Sequence, residues 1–274
     1  MKKTLLACVL GVSLLVAAIV DNTMPFAYSV AVASPAAGQE STKELYAWQG
    51  TINDTIPVSV WFEVKNGVAV GAITYTKTGS NKPIFLLGKT LSGKGSFYLN
   101  EVLPDGVFSG TIEGSVEGDI FSGTWTGPDT VREKGSDFVT KEGKVFPITL
   151  HKNDNTPKGH DWALNTASAL GNYAYSYGKY QPHGTGAIHA LDADRITIEL
   201  FGSRGAPSYN MATVDALDCQ RQGNSFFCDL DESCAVTVQV FNGFIKVGLV
   251  EDRNCLGYFG MGAHVEGSYI KLAQ

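Results

Sequence analysis

The chain has 274 residues, a formal net charge of −6 and 18% charged side chains. This acidic balance, without any run of basic residues, excludes nucleic acid and an anionic membrane surface as expected partners. The length is sufficient for one large domain or two small ones, because a domain typically takes about 100–200 residues.

The first 33 residues have the composition of a cleavable export signal. Lys2 and Lys3 form a basic start, residues 5–20 are apolar, and the small residues 31–33 offer a cleavage site. A membrane span needs about 20 apolar residues, so we expect no stable membrane anchor after cleavage. The mature chain would then carry 19 basic and 26 acidic side chains, because Lys2, Lys3 and Asp21 are removed, for a net charge of −7. Residues 34–43 are small and polar and are interpreted as a flexible leader.

Residues 44–152 are predicted to form an antiparallel β domain. In "TIPVSVWFEV" a strict period of two places five apolar residues on one face, namely Ile56, Val58, Val60, Phe62 and Val64. The turn at Asn66-Gly67 leads into "GVAVGAITYT", which is typical of the return strand of a hairpin. Further short apolar segments, "PIFLL", "SFYLNEVL", "GVFSGTI", "DIFSGTW" and "VFPITLHK", follow between Gly-, Asp- and Pro-containing turns.

Residues 153–162 are predicted to be a linker, because "NDNTPKGHD" is polar and contains Pro157 and Gly159. His151 and His160 lie at this linker and are expected to be exposed. In the second unit, residues 163–274, "WALNTASAL" favours one short helix before strands resume. In "AVTVQVFNGFIKVGLV" the Asn242-Gly243 pair predicts a hairpin with a two-residue type I′ turn. The predicted fold class is all-β, with two small antiparallel β-barrel or β-sandwich units.

Four cysteines follow the signal, and an even number in an exported chain predicts two disulfides. Their spacing fits no common zinc motif. If Gly223-Asn224 is a two-residue turn, Cys219 and Cys228 face each other across a hairpin, within disulfide range. In the next hairpin Cys234 would lie opposite Glu251, and Cys255 could fold back to reach it. We therefore predict the pairs Cys219–Cys228 and Cys234–Cys255, which would staple the C-terminal unit.

Two stretches are candidates for ligand binding. "NYAYSYGKY" places Tyr173, Tyr175 and Tyr177 on one strand face, which suits a platform for a sugar ring or a peptide. The same pattern also suits tyrosines that are half-buried in a sheet. Near the C-terminus, "AHVEGSY" alternates so that His264 and Glu266 point to one side, most simply outward from a final strand.

No motif assigns a reaction, a metal or a cofactor. "GKTLSGKGS" at residues 88–96 matches the start of a P-loop, but Gly95 stands where a Ser or Thr is required and strand continues where a helix is required. The acidic loop "CDLDESC" lacks the ligand ladder of a calcium loop and is interpreted as a solvated turn. We therefore expect no nucleotide, no metal and no cofactor, and no catalytic residue can be named.

The C-terminal stretch resembles the tail of small exported proteins of Gram-negative bacteria, which has the form C-x-x-[YF]-[CF]-G-x-x-A-x-[FV]-x-G-x-Y-x-K. The matching residues are Cys255, Tyr258, Phe259, Gly260, Ala263, Val265, Gly267, Tyr269 and Lys271. Phe259 stands where a second cysteine often appears. The resemblance covers roughly the final 55 residues and implies a periplasmic or extracellular location. Some of these mostly uncharacterised proteins carry regions likened to periplasmic lysozyme inhibitors.

The leading hypothesis is a non-catalytic envelope protein that binds a glycan, a peptidoglycan fragment or a protein such as a lysozyme. One alternative is a secreted hydrolase of envelope polysaccharide or peptide, with carboxylates drawn from separate strands. Another is a structural or stress-related envelope protein. A concave cleft and its lining side chains would distinguish these hypotheses.

Overall fold

A computed structural model shows that the secondary structure of the described residues is almost entirely antiparallel strand, as the alternation predicts. The structure describes residues 44–77, 82–92, 95–134, 137–155, 157–163, 166–178 and 181–273. The expected signal and leader, residues 1–43, lie outside the described residues.

The first barrel is closed by eight strands, and we call it the N-terminal barrel. Its strands run in the order β1-β10-β7-β6-β5-β4-β3-β2, so sequence neighbours pair around the barrel and β10 returns to close it against β1. The strands are β1 (Glu44–Ile52), β2 (Ile56–Lys65), β3 (Val68–Tyr75), β4 (Ile84–Thr90), β5 (Ser96–Val102), β6 (Phe108–Glu117), β7 (Ile120–Thr126) and β10 (Val145–Lys152). Between β7 and β10, β8 (Thr130–Lys134) and β9 (Asp137–Lys141) form a separate two-stranded sheet.

The interior of this barrel contains the residues that the alternation of β2 selects. Val58, Val60 and Phe62 are buried, and Ile56 and Val64 pack against the same apolar cluster. Asn66 and Gly67 both have positive φ values, 53° and 75°, which is the backbone of a type I′ turn between β2 and β3.

The second barrel also closes with eight strands, in sequence order, and we call it the C-terminal barrel. A helix of one turn, α1 (Thr166–Ala169), precedes it. The strands are β11 (Gly171–Ser176), β12 (His183–Leu191), β13 (Arg195–Ser203), β14 (Met211–Gln222), β15 (Ser225–Asp229), β16 (Cys234–Phe241), β17 (Phe244–Asn254) and β18 (Gly267–Lys271). Pairing of β18 with β11, at Tyr173↔Lys271 and Ala174↔Ile270, closes the ring.

Both predicted disulfides are confirmed. Cys219 pairs with Cys228, with a Cα–Cα distance of 4.4 Å, and the hairpin register beside them is the predicted one, with Gln220 opposite Phe227. Cys234 pairs with Cys255, with a Cα–Cα distance of 4.0 Å.

Two details of the hairpin formed by β16 and β17 differ from the prediction. A register shift between Cys234 and Val236 places Asn254, and not Glu251, opposite Cys234, which brings Cys255 into reach. In the turn, Gly243 has a φ of 89° whereas Asn242 does not have a positive φ, so the two-residue turn is not of type I′.

The two barrels share an apolar cluster. Val68, Val70 and Leu87 belong to strands of the N-terminal barrel, but they cluster with the core of the C-terminal barrel. The ring of Phe85 lies 6.4 Å from that of Phe244, measured between centroids. This packing explains why β3 is apolar on both faces, because its inner face fills one barrel and its outer face meets the other.

The connecting segment is packed against the N-terminal barrel through Glu63, and it is not the exposed linker that its composition suggested. Glu63 is 0% exposed and accepts hydrogen bonds from the backbone N–H of His160, at 3.0 Å, and from the indole N–H of Trp162. The His160 ring is half-buried beside Trp162 and Phe244, so the expectation that it is exposed was wrong. His151, by contrast, is exposed.

Candidate functional site

The tyrosine platform predicted on β11 does not exist as a surface. Tyr173 is 0% exposed and Tyr175 is 5% exposed, because the shared face of the strand points into the C-terminal barrel. The hydroxyl of Tyr173 donates to the carbonyl of Ala169, and the ring of Tyr175 packs edge-on against Tyr269 with centroids 4.8 Å apart. Of the three, only Tyr177, which follows the end of β11, reaches the surface, at 39% exposure.

Tyr177 lies in a cleft to which both barrels contribute. The cleft has a volume of about 310 Å³. Its polar and aromatic lining comes from Lys89, Tyr98, Asn100 and Phe108 of the N-terminal barrel and from Tyr177, Lys246, His264, Glu266 and Ser268 of the C-terminal barrel. Three of the five residues predicted to bind a ligand, Tyr177, His264 and Glu266, therefore line one cleft.

A second cleft adjoins the first. It measures about 350 Å³ and shares three aromatic residues with it, namely Tyr98, Phe108 and Tyr177. The remaining polar lining of the second cleft includes Thr111, Asp129 and Gln181. The shared aromatic residues form a wall common to both clefts, and we call the two together the inter-barrel cleft.

Local packing positions the aromatic wall. Tyr98 points out of the N-terminal barrel because its neighbours Phe97 and Leu99 fill the interior. The ring of Phe108 meets Tyr177 edge-on with centroids 4.6 Å apart, and it is stacked on Tyr175 at 6.4 Å. Burial raises the pKa of Tyr177, and the nearby Tyr98 raises it further, so the Tyr177 phenol stays protonated and can donate a hydrogen bond at neutral pH.

The rim of the cleft follows the predicted alternation. Ala263 and Val265 are buried while His264 and Glu266 are exposed. The segment is not yet strand, because β18 begins only at Gly267. On the opposite side, Asn100 accepts a hydrogen bond of 3.0 Å from the hydroxyl of Thr111 through its side-chain oxygen, which leaves its amide N–H groups as donors.

A buried carboxylate faces the interior of the N-terminal barrel and is not part of the cleft lining. Glu101 is 2% exposed, and its Oε1 accepts from the Tyr75 hydroxyl at 2.6 Å and from the Trp125 indole at 2.8 Å. Its Oε2 accepts from Ser109 at 3.2 Å. Burial raises the pKa of Glu101, although the three hydrogen bonds act in the opposite direction. No sequence motif pointed to this residue.

Glu101 is expected to make the protein less stable as the pH rises. Because the pKa of Glu101 is raised in the folded state, its stabilising contribution is complete below the unfolded pKa of about 4.3 and is lost as the pH rises through the folded pKa. In Glu101→Gln the side-chain oxygen can still accept from Tyr75 and Trp125, and the amide can donate to Ser109. We expect this variant to be at least as stable as the wild type at pH 8 and to lose this part of the pH dependence.

Urea unfolding at pH 5 and pH 8 checks this expectation. Glu113→Gln, at an exposed position of β6, is the matched control and should keep the wild-type pH dependence. An unchanged pH dependence in Glu101→Gln would show that another group is responsible.

A larger groove lies on the C-terminal barrel alone. It measures about 390 Å³, and its polar and aromatic lining includes Asn172, Thr185, Glu199, Phe201, Thr213 and Asp215. Glu199 pairs with His189 at 3.2 Å. Among the described residues, no three His, Cys, Asp or Glu side chains come together in the manner of a metal site.

Asp231, a carboxylate of the "CDLDESC" loop, supports the turn in which it lies. Asp231 accepts hydrogen bonds from the backbone N–H groups of Ser233, at 2.7 Å, and Cys234, at 2.8 Å. The arrangement matches the interpretation of this segment as a solvated acidic turn.

These observations define an all-β protein of two closed barrels with a mixed aromatic and charged cleft between them. No family model matches the chain, and no curated protein sequence matches it. Among solved structures, the chain is similar to a protein of unknown function of the DUF3598 family from Nostoc punctiforme, at 14% identity. The similarity covers 77% of this chain and 80% of that one, with a TM-score of 0.24, which is too low to support an inference.

Two observations concern the environment of the protein. The two disulfides indicate a compartment that is not reducing. No helix within the described residues is long and apolar enough to cross a membrane.

Proposed function

We propose that this protein is a non-catalytic, exported binding protein of the bacterial envelope, and that it holds a glycan in the inter-barrel cleft. The observation that carries the proposal is the pair Tyr98 and Tyr177, one from each barrel, on the wall common to both clefts. Aromatic rings offer an apolar surface to the C–H faces of a sugar, and tyrosine adds a hydroxyl at its edge. The polar rim supplies partners for the sugar hydroxyls.

The dimensions of the cleft favour a glycan over a protein partner. Volumes of about 310 and 350 Å³ fall within the range of about 300–1,000 Å³ that is typical of small-molecule sites. We therefore place the glycan first and treat a lysozyme partner as an outcome of the test.

Export to the envelope is supported by three observations. The chain begins with a segment typical of a signal peptide. Two disulfides staple the C-terminal barrel. The tail from Cys255 onward resembles that of exported proteins of Gram-negative bacteria.

Cosedimentation of the purified protein with insoluble peptidoglycan tests the proposal. Tyr98→Ala combined with Tyr177→Ala should weaken binding about 5- to 150-fold, because each lost aromatic contact costs about 0.5–1.5 kcal/mol. Tyr258→Ala removes an equally exposed tyrosine from the loop that follows Cys255, outside the cleft lining, and should bind as the wild type does.

Thermal melting must first show that both variants are folded. Equal binding by the double variant and the wild type would contradict the proposed site. Inhibition of a lysozyme by the wild type, without sedimentation on peptidoglycan, would replace the glycan with a protein partner.

A further inference from the structure

The charge of the first cleft is opposite in sign to that of the chain, whereas the described lining of the second cleft has one carboxylate, Asp129, and no lysine or arginine. The chain carries a net charge of −6. The first cleft, however, is lined by two lysines, Lys89 and Lys246, against one carboxylate, Glu266, with His264 beside them. We infer that the cleft selects acidic saccharides, those with carboxylate groups on the sugar backbone, and this inference rests on the glycan-binding function proposed above.

The two lysines are contributed by different barrels. Lys89 lies on β4 of the N-terminal barrel and Lys246 on β17 of the C-terminal barrel. Both are exposed, and neither forms an ion pair with any residue that the structure describes. Their ammonium groups are therefore available to an anion in the cleft.

Three other lysines already contact a partner within the protein. Lys152 pairs with Asp119 at 3.5 Å, and Lys271 donates to the carbonyl of Ser168. Lys65 lies 5.9 Å from the centroid of the Trp162 ring in the connecting segment. Lys89 and Lys246 differ from these three because they line a concave site without a partner in the described residues.

The aromatic wall and the lysines together specify the ligand class. Tyr98, Phe108 and Tyr177 provide the surface for the sugar rings, and the lysines lie where a carboxylate on the rings could approach. Peptidoglycan strands without their stem peptides offer this chemistry, because the lactyl group on every second sugar of the backbone then ends in a free carboxylate. Glu266 and Asn100 remain to bind hydroxyl and acetamido groups. A neutral chain of N-acetylglucosamine would use the wall and the polar rim but would have no charge to attract to the lysines.

Calorimetric titration with two probes of equal length tests the inference. One is the neutral tetramer of N-acetylglucosamine, and the other is the tetrasaccharide in which N-acetylglucosamine alternates with N-acetylmuramic acid. We expect the wild type to bind the acidic tetrasaccharide about 10-fold more tightly at low ionic strength. The preference should shrink in 0.5 M salt, because salt screens exposed charges.

Variants separate the charge from the aromatic wall. Lys89→Gln combined with Lys246→Gln should remove the preference, because glutamine keeps hydrogen-bond donors but carries no charge, and it should lower the affinity for the acidic tetrasaccharide much more than the affinity for the neutral tetramer. Lys82→Gln combined with Lys158→Gln removes the same charge from exposed positions that line neither cleft, and should keep the preference.

Equal affinity of the wild type for the two probes would overturn the inference while leaving the glycan-binding function intact. So would a preference that survives in the variant lacking Lys89 and Lys246. If neither probe binds the wild type, the proposed function itself fails, and the inference fails with it.

Discussion

Replacing Cys234 and Cys255 together by alanine is expected to lower the free energy of unfolding by about 3 kcal/mol. The two cysteines are 21 residues apart in the chain, and closing a loop of that length restricts the unfolded chain considerably. Both are buried, so the change also removes packed sulfur atoms from the core. Urea unfolding of the purified variant measures the loss.

The second disulfide provides the matched comparison. Cys219 and Cys228 are 9 residues apart, so the same double replacement should cost slightly less, about 2.5 kcal/mol. The two variants should differ in ligand binding, because Cys255 begins the segment that carries His264 and Glu266 to the cleft. A wild-type free energy of unfolding in both variants would show that the disulfides contribute nothing to stability.

Glu63→Ala is expected to cost about 3 kcal/mol, because it leaves two buried donors without their carboxylate. These donors are the backbone N–H of His160 and the indole N–H of Trp162, and a hydrogen bond to a charged group is worth about 1.5–3 kcal/mol. Glu63→Gln keeps only one acceptor oxygen and should show an intermediate loss. Because Glu63 anchors the connecting segment, trypsin should also cleave the alanine variant faster at Lys158.

Glu117→Ala is the control for this pair of measurements. Glu117 is exposed at the end of β6, and its replacement should change the free energy of unfolding by less than about 0.5 kcal/mol. If Glu63→Ala behaves like Glu117→Ala in unfolding and in proteolysis, Glu63 does not anchor the segment.

The features that the sequence predicted correctly are local ones. The alternation on β2 and the turn at Asn66-Gly67 determine how β2 pairs with its neighbour β3. Each disulfide joins residues that are close in the chain, within one hairpin region. The register of such hairpins follows from the position of the turn. The shift between Cys234 and Val236 was not predicted, because no residue type in that segment requires a bulge.

The tyrosine prediction shows what alternation cannot determine. A period of two identifies residues that share a face, but it does not say whether that face is inside or outside the barrel. The sequence of the next strand, β12, did contain an indication of the inward face, because Gly186 and Gly184 lie opposite Tyr173 and Tyr175. A Cβ on Gly184 would come within 2.5 Å of the Tyr175 ring, so the glycine makes room for an inward-pointing aromatic side chain.

The cleft could not be predicted because it depends on contacts between the barrels. Lys89, Tyr98, Lys246 and His264 are far apart in the chain and meet only when the outer face of β3 packs on the C-terminal barrel. The burial of Glu63 and Glu101 could not be predicted either, because a glutamate in a strand sequence does not reveal whether hydrogen-bond donors surround it in the fold.

A saccharide is expected to bind in the inter-barrel cleft against Tyr98 and Tyr177. A crystal structure of the protein with the acidic tetrasaccharide tests this expectation most directly. We predict sugar rings against these two tyrosines, with a carboxylate near Lys89 or Lys246. Density in the groove lined by Thr185, Glu199 and Phe201, with the inter-barrel cleft free of sugar, would contradict the account.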